Sequence, residues 1–375
     1  MTRPRWWRRR WAKVASAILG VLLALLVALP VGRYLLRAGW EEARILASRR
    51  DIDDVIADPA TDERTRAKLR LVLAARAFAA DSMKLRAKHS FTTYTRLRRD
   101  TLVLVLSGAY RDRLKRYTWW FPVVGRVPYK GFFDFDAARR AEREMSDDGF
   151  DASLRPASAF STLGFFNDPL LSTTLRTDSL ELANTVIHEL THNTFYLPGQ
   201  AVFNESFANF VGSRGAAWLF RTRGSARAVE QTNDRWSDER LLAGFWESLY
   251  ASIDSAFDAR PGEEADAVHA RLVARDSIYA AARHRLVETL GPKLRTIGPR
   301  YLERVPLNNA ALLAHRVYLT DLDLFDAVYA RERWNLPATV QRIIALAKED
   351  PKNPYGALRR WLGVPEGAAT AAAGG

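Results

Sequence analysis

The chain has 375 residues, 48% of them apolar and 11% aromatic, enough to bury a sizeable core in one large domain or two lobes. It contains no cysteine, which excludes disulfides, thiolate metal sites and a cysteine nucleophile, so any metal must be held by His, Asp or Glu. The formal charge is +13, but six of the surplus charges sit in the acid-free stretch "MTRPRWWRRRWAK" (1–13) and the other basic runs are mixed with acids, which argues for solvated faces and no nucleic-acid partner.

In chain order, the basic tail 1–13 is followed by "VASAILGVLLALLVALPVG" (14–32), which has no charged residue. At 1.5 Å per residue that stretch makes about 28 Å of helix, close to the thickness of a bilayer core. One N-terminal transmembrane helix is therefore expected over 14–36. The flanking cations place the N-terminus in the cytoplasm, with the remainder on the periplasmic or extracellular side of the cytoplasmic membrane. A cleaved signal peptide is the competing reading, but no Ala-x-Ala site follows the apolar run.

Residues 38–365 form the expected main domain. Two helices are expected over 38–89, separated near Pro59, with Asp62 capping the second. The β-branched and aromatic segments "TLVLVLSG" and "YTWWFPVVGRVPYKGFFDF", broken by Gly and Pro, suit strands between 101 and 135 with a turn near Gly125. A helix over 137–147 and an extended piece over 151–166 follow. Later helices are expected over 205–222, 237–258, 262–290, 309–331 and 336–349. The small-residue tail 366–375 is expected to be disordered.

The chemistry concentrates in "TVIHELTHNTFYLPGQAVFNESFANF" (185–210). Asp178 followed by Glu181 marks a helix start, and Pro198 with Gly199 ends that helix after Tyr196. His188 and His192 then stand at i and i+4 on one face, able to share one ion. Glu189 is displaced by about 100° and can reach a water on that ion without being a ligand. From Leu182 to Asn204 it is the only formally charged side chain, and a buried lone carboxylate costs several kcal/mol unless a cation or strong donors meet it. Glu205 supplies a third ligand after the short "LPGQ" turn, with Asn204 as a candidate cap. Two His and one Glu form the open, catalytic zinc pattern.

Four blocks, "STLGFFNDPLLST" (161–173), "IHELTHNTFY" (187–196), "FNESFANFVG" (203–212) and "PLNNAALLAHRVY" (306–318), resemble the bacterial predicted aminopeptidase family of gluzincin-type zinc peptidases. The resemblance runs from Trp40 to Leu346. It implies an α+β, mainly helical zincin-like domain with a small β-sheet, one Zn2+ held by His188, His192 and Glu205, and Glu189 as the catalytic carboxylate. It also implies a peptide substrate and a membrane-anchored aminopeptidase that uses a metal-activated water. Trp120 and Arg126 stand where family members carry cysteines, so a disulfide is not implied here, and without a cysteine after the apolar run neither is the lipid anchor that many members carry.

Substrate contacts are expected from Ser161, Thr162, Leu163 and Gly164, as an edge strand that pairs with a peptide, and from Tyr318. Tyr318, Tyr301 and His315 are the candidates for a second oxyanion donor, and Asp168 or Glu247 for gripping a free α-ammonium. The alternatives are a non-catalytic envelope protein with a structural metal, an endopeptidase, or another amide hydrolase. Retention of Glu189, which is no ligand, speaks against the first.

Overall fold

The computed structural model describes Val14 and residues 30–97, 103–121, 125–157 and 170–365. The N-terminal part begins with helix α1 (Pro30–Ala47), strand β1 (Arg50–Asp51) and helices α2 (Ile52–Ala57) and α3 (Glu63–Asp81). Strands β2 (Thr93–Thr95), β3 (Val103–Tyr110), β4 (Trp119–Phe121), β5 (Gly125–Val127) and β6 (Tyr129–Phe132) follow. Helix α4 (Phe135–Asp147) leads into β7 (Phe150–Ala157) and β8 (Leu170–Leu171). The remainder is helical: α5 (Ser179–Thr194), α6 (Ala201–Thr222), α7 (Ala226–Asp258), α8 (Ala265–His284), α9 (Pro299–Arg304), α10 (Asn309–Tyr318), α11 (Leu322–Arg331), α12 (Leu336–Glu349) and α13 (Pro354–Leu362).

Among the described residues the protein is mostly helical, 66%, with small sheets. Among the described residues there are three: β1-β2-β8, β6-β3-β7 and the hairpin β4-β5. In the second sheet β3 pairs antiparallel with both neighbours, from Val103↔Ala157 to Tyr110↔Phe150 on the β7 side. Gly125 turns the hairpin with φ +73°, a left-handed conformation that glycine adopts without strain.

The N-terminal transmembrane helix is corrected by the structure. No helix among the described residues is long and apolar enough to cross a membrane, and the single-pass localisation built on that span falls with it. Residues 15–29 lie outside the described set. Where the expected span runs into α1, Arg33, Arg37, Glu41 and Arg44 recur at helical spacing along one face, and Glu41 pairs with Arg44 at 2.7 Å. Ile45 is buried in a small cluster with Val103, Phe133 and Leu171. A helix with one charged stripe and one packed residue row belongs on a protein surface.

Other expectations are adjusted in detail. Asp62 caps α3 by accepting from the Thr65 amide. The helix expected over 309–331 is two helices, broken at Asp321, whose φ of +52° is incompatible with a continuing α-helix. α7 starts eleven residues before its expected position at 237, and α13 was not anticipated. Residues 158–166 of the expected extended piece, with Ser161, Thr162, Leu163 and Gly164, lie outside the described residues, as do Asp168 and the tail 366–375.

The largest apolar cluster joins α3, α5, α6, α11, α12 and α13 around Phe203, Phe207, Phe210 and Phe325. A second cluster joins α7, α8, α9 and α10 around Trp246, Ile253 and Leu312. α6 lies in the first and, through Asn209 and Ser206, also holds the end of α10, so it is the element that ties the site to both clusters.

Candidate metal centre

The site is built on α5 and α6. Asp178 caps α5 by accepting from the Leu180 and Glu181 amides at 2.9 and 3.0 Å. Phe195 ends the helix in an extended conformation, and Gly199 turns the chain back at φ +79°. Asn204 does not cap α6, as the sequence had suggested. It is 1% exposed, and its amide accepts from Leu197 N at 3.0 Å and donates to Leu197 O at 2.9 Å. This two-pronged bond clamps the turn that returns α6 onto α5.

The two helices meet along two matched stripes. On α5 the stripe is Asn184, His188 and His192; on α6 it is Glu205, Asn209 and Gly212. His192 faces Glu205, while Asn184 and the His188 Cβ face Gly212, so the helices run antiparallel. A Cβ on Gly212 would stand 2.2 Å from Asn184 Oδ1, 3.0 Å from the Asn184 carbonyl oxygen and 3.3 Å from the His188 Cβ. Glycine is what permits this approach.

Three ligand atoms converge between the stripes. His188 Nε2 and His192 Nε2 are 3.2 Å apart, and they lie 3.3 and 3.6 Å from Glu205 Oε2. Together His188, His192 and Glu205 form a group that could hold a metal ion. With metal–ligand bonds of 2.0–2.1 Å, the edge of a tetrahedral site is about 3.3 Å. The donor set and its spacing therefore fit zinc without rearrangement. All three side chains are mostly buried, at 14%, 20% and 25% exposure, which limits the competition from solvent.

The electrostatics point the same way. Burial raises the Glu205 pKa, but the hydrogen bonds of His188 and His192 outweigh it and bring the carboxyl down to about 2. For His188 burial opposes protonation, yet Glu205, Glu189 and the Asn209 side chain together raise its pKa. The site thus favours positive charge at its centre. Asn209, one turn beyond Glu205, stands on the stripe that faces His188, helps to raise its pKa, and donates to Tyr318 O at 3.1 Å. His192 Nδ1 is buried without a hydrogen-bond partner among the described residues.

Glu189 is half-buried beside His188 on α5. Tyr318, at the end of α10, is the one oxyanion-donor candidate brought to the site. Burial raises its pKa first, the Glu205 and Glu189 charges add to that, and the Arg155 charge opposes them. His315 is instead stacked on Trp246, with centroids 4.2 Å apart and planes 11° apart. Burial, with help from Arg155, holds its pKa down at about 4, so it is a neutral packing residue at ordinary pH. Tyr301 is exposed on α9, and Glu247 sits in the field of Asp321, Arg316 and Arg359. Neither has a contact with the ligand group.

Sequence reasoning missed Asn209, Gly212 and Glu239. The first two stand four and seven residues after Glu205, a spacing that could have placed them on its face. Glu239, on α7, is pushed up to about 7 by burial and by Glu181, with His188 pulling the other way.

A family model, Aminopep, described as "Putative aminopeptidase", matches residues 33–358. No curated protein and no solved structure matches the chain.

Proposed function

The chain belongs to that aminopeptidase family, and on this premise we propose that it is a zinc-dependent peptidase that hydrolyses peptide bonds, acting on substrates with a free amino terminus. The observation that carries the proposal is the convergence of His188 Nε2, His192 Nε2 and Glu205 Oε2 at separations of 3.2 to 3.6 Å. Those are the edges of a tetrahedral site with one corner left over.

His188, His192 and Glu205 would hold the ion. When bound, zinc supplies Lewis acidity that lowers the pKa of a water ligand toward about 7 and polarises the scissile carbonyl. Glu189 takes the proton of the attacking water at its carboxylate and passes it to the leaving amine. Its place next to His188, off the ligand face by one residue, suits a base that must touch the water and leave the ion to its neighbours. The Tyr318 hydroxyl donates to the developing oxyanion, which strengthens as charge builds there. Asn209 ties the end of α10 to the site, because its amide donates to the Tyr318 carbonyl while its side chain influences His188.

Three measurements on the full chain test this. Elemental analysis should find about one zinc per chain, lost in His188→Ala; a wild type that binds no zinc refutes the reading. Glu189→Gln should keep the zinc and lose peptide hydrolysis. A peptide library with free and blocked amino termini, read by mass spectrometry, should show cleavage of the free set, and cleavage of blocked peptides would make the enzyme an endopeptidase.

A further inference from the structure

Strand β7 is the outer strand of its sheet among the described residues, bonded to β3 on one side. It lies along α10. Near its start Asp151 accepts from the Asn309 amide at 2.7 Å, and Asn308 Nδ2 donates to Ala152 O at 3.0 Å. Near its end Arg155 meets Tyr318, the last residue of α10. The lengths agree: four strand steps from Asp151 to Arg155 and nine helix steps from Asn309 to Tyr318 each span about 13 Å.

This packing places an exposed guanidinium beside Tyr318, at the end of α10. The Arg155 guanidinium is 5.7 Å from the Tyr318 ring centroid, and its charge opposes the rise that burial gives the pKa of that residue. The main chain of Tyr318 is in turn bonded to Asn209, one turn from Glu205. Some arginines of the helical body have carboxylate partners, such as Arg214 with Asp326 and Arg359 with Asp321. Arg155 makes no ion pair among the described residues, so its fork of donors faces solvent beside the reacting centre.

We propose that Arg155 is a specificity-determining residue that binds a carboxylate of the substrate close to the scissile bond. An arginine fork matches a carboxylate with two parallel hydrogen bonds, which an amide or a hydroxyl does not reproduce. Two sources share this chemistry: the terminal carboxylate of a short peptide, and the side chain of an acidic residue. The inference rests on the peptidase reading above and names its substrate class.

The test uses the zinc-loaded full chain and four peptides: Leu-Ala with a free carboxylate, Leu-Ala-amide, Leu-Glu-amide and Leu-Gln-amide. The quantity read is the ratio of kcat/KM within each acid/neutral pair, which cancels any general effect passed through Tyr318. The wild type should favour the acidic member of one pair by about tenfold to a hundredfold, the range for a charge-assisted bond. A preference within the first pair identifies the terminal carboxylate, and within the second the side chain. Arg155→Gln should bring the ratio near one, Arg155→Glu should invert it, and Arg155→Lys, which keeps the charge without the fork, should fall between.

A wild-type ratio near one in both pairs overturns the inference. So does a uniform loss across all four peptides in Arg155→Gln with the ratios unchanged, which would make the arginine a support for Tyr318 alone. Cleavage of none of the peptides by the zinc-loaded wild type overturns the peptidase reading itself, and this inference with it.

Discussion

Gly212→Ala is the most direct probe of how the metal centre is held. Two effects of opposite sign compete. Glycine in a helix interior is less favourable than alanine by about 1 kcal/mol, so the substitution gains up to that amount in backbone terms. Against it, the new Cβ would sit 2.2 Å from Asn184 Oδ1, 3.0 Å from the Asn184 carbonyl oxygen and 3.3 Å from the His188 Cβ. The Asn184 amide can rotate away. The carbonyl and the His188 Cβ cannot, because both are fixed to α5, so the helices must separate by a few tenths of an ångström. Overpacking of this kind costs about 1–3 kcal/mol, and the net change in stability is about 0–2 kcal/mol unfavourable.

Zinc should be more sensitive than stability. Three ligand atoms at 3.2, 3.3 and 3.6 Å span the same helix pair, and prising it open moves Glu205 away from both imidazoles. Disturbances of this size around metal ligands weaken binding by about 10–100-fold. The assay is chelator competition for zinc, with urea unfolding of the metal-free protein measured in parallel. Gly244→Ala in α7 is the control: a Cβ there meets nothing within 4 Å, so it should stabilise by about 0.5–1 kcal/mol and leave zinc affinity alone. If Gly212→Ala stabilises like Gly244→Ala and binds zinc like the wild type, the reasoning is refuted.

Asn204→Ala removes both bonds to Leu197 and strands its buried N–H, while the Leu197 carbonyl keeps the Gln200 amide, so unfolding should lose about 1–3 kcal/mol, and zinc affinity should fall with it in the same chelator assay. Tyr318→Phe should lower kcat by about 10–1000-fold while zinc content stays at the wild-type level; an unchanged kcat would remove Tyr318 from the chemistry. His315 gives a pH test. Its folded pKa of about 4 lies below the unfolded value of about 6.5, so its contribution is fully present above pH 6.5 and is lost as pH falls toward 4, about 3 kcal/mol in all. His315→Phe should show a flatter loss of urea stability between pH 6.5 and 4 than the wild type, and parallel curves would contradict the burial of that ring.

The pairing of His188 with His192 was legible because its signals are local. His188 and His192 share a helix face by spacing alone, and the capping residue Asp178 with the Pro198–Gly199 break bounds that helix. The role of Asn204 was misread for the same reason. Asn before a helical run reads as a cap, and only the path of the returning chain shows that its amide is spent on Leu197. The start of α7 was missed because residues 226–236 are largely polar, and helical periodicity emerges there only once Thr232 and Trp236 are seen to be buried. The apolar run after the basic tail gave a strong local signal for a membrane helix. The structure instead shows α1, where that span ends, as a helix with a charged stripe and Ile45 packed inward.

The spacing of the three candidate ligands is a property of the helix pair more than of the HExxH motif. A motif on one helix can fix only the relation of His188 to His192. The distance from either to Glu205 depends on how closely α6 approaches, and that is set by two features outside the motif: the Asn204 clamp at the turn and the missing side chain at Gly212. Asn209 lies between them on the same stripe, influences His188 and bonds the main chain of Tyr318. Glu205, Asn209 and Gly212 therefore act through one rigid surface, so substitutions among them should not add independently. Combining Asn209→Ala with Gly212→Ala should cost less zinc affinity than the sum of the single losses, because once the helices have parted the amide no longer reaches His188.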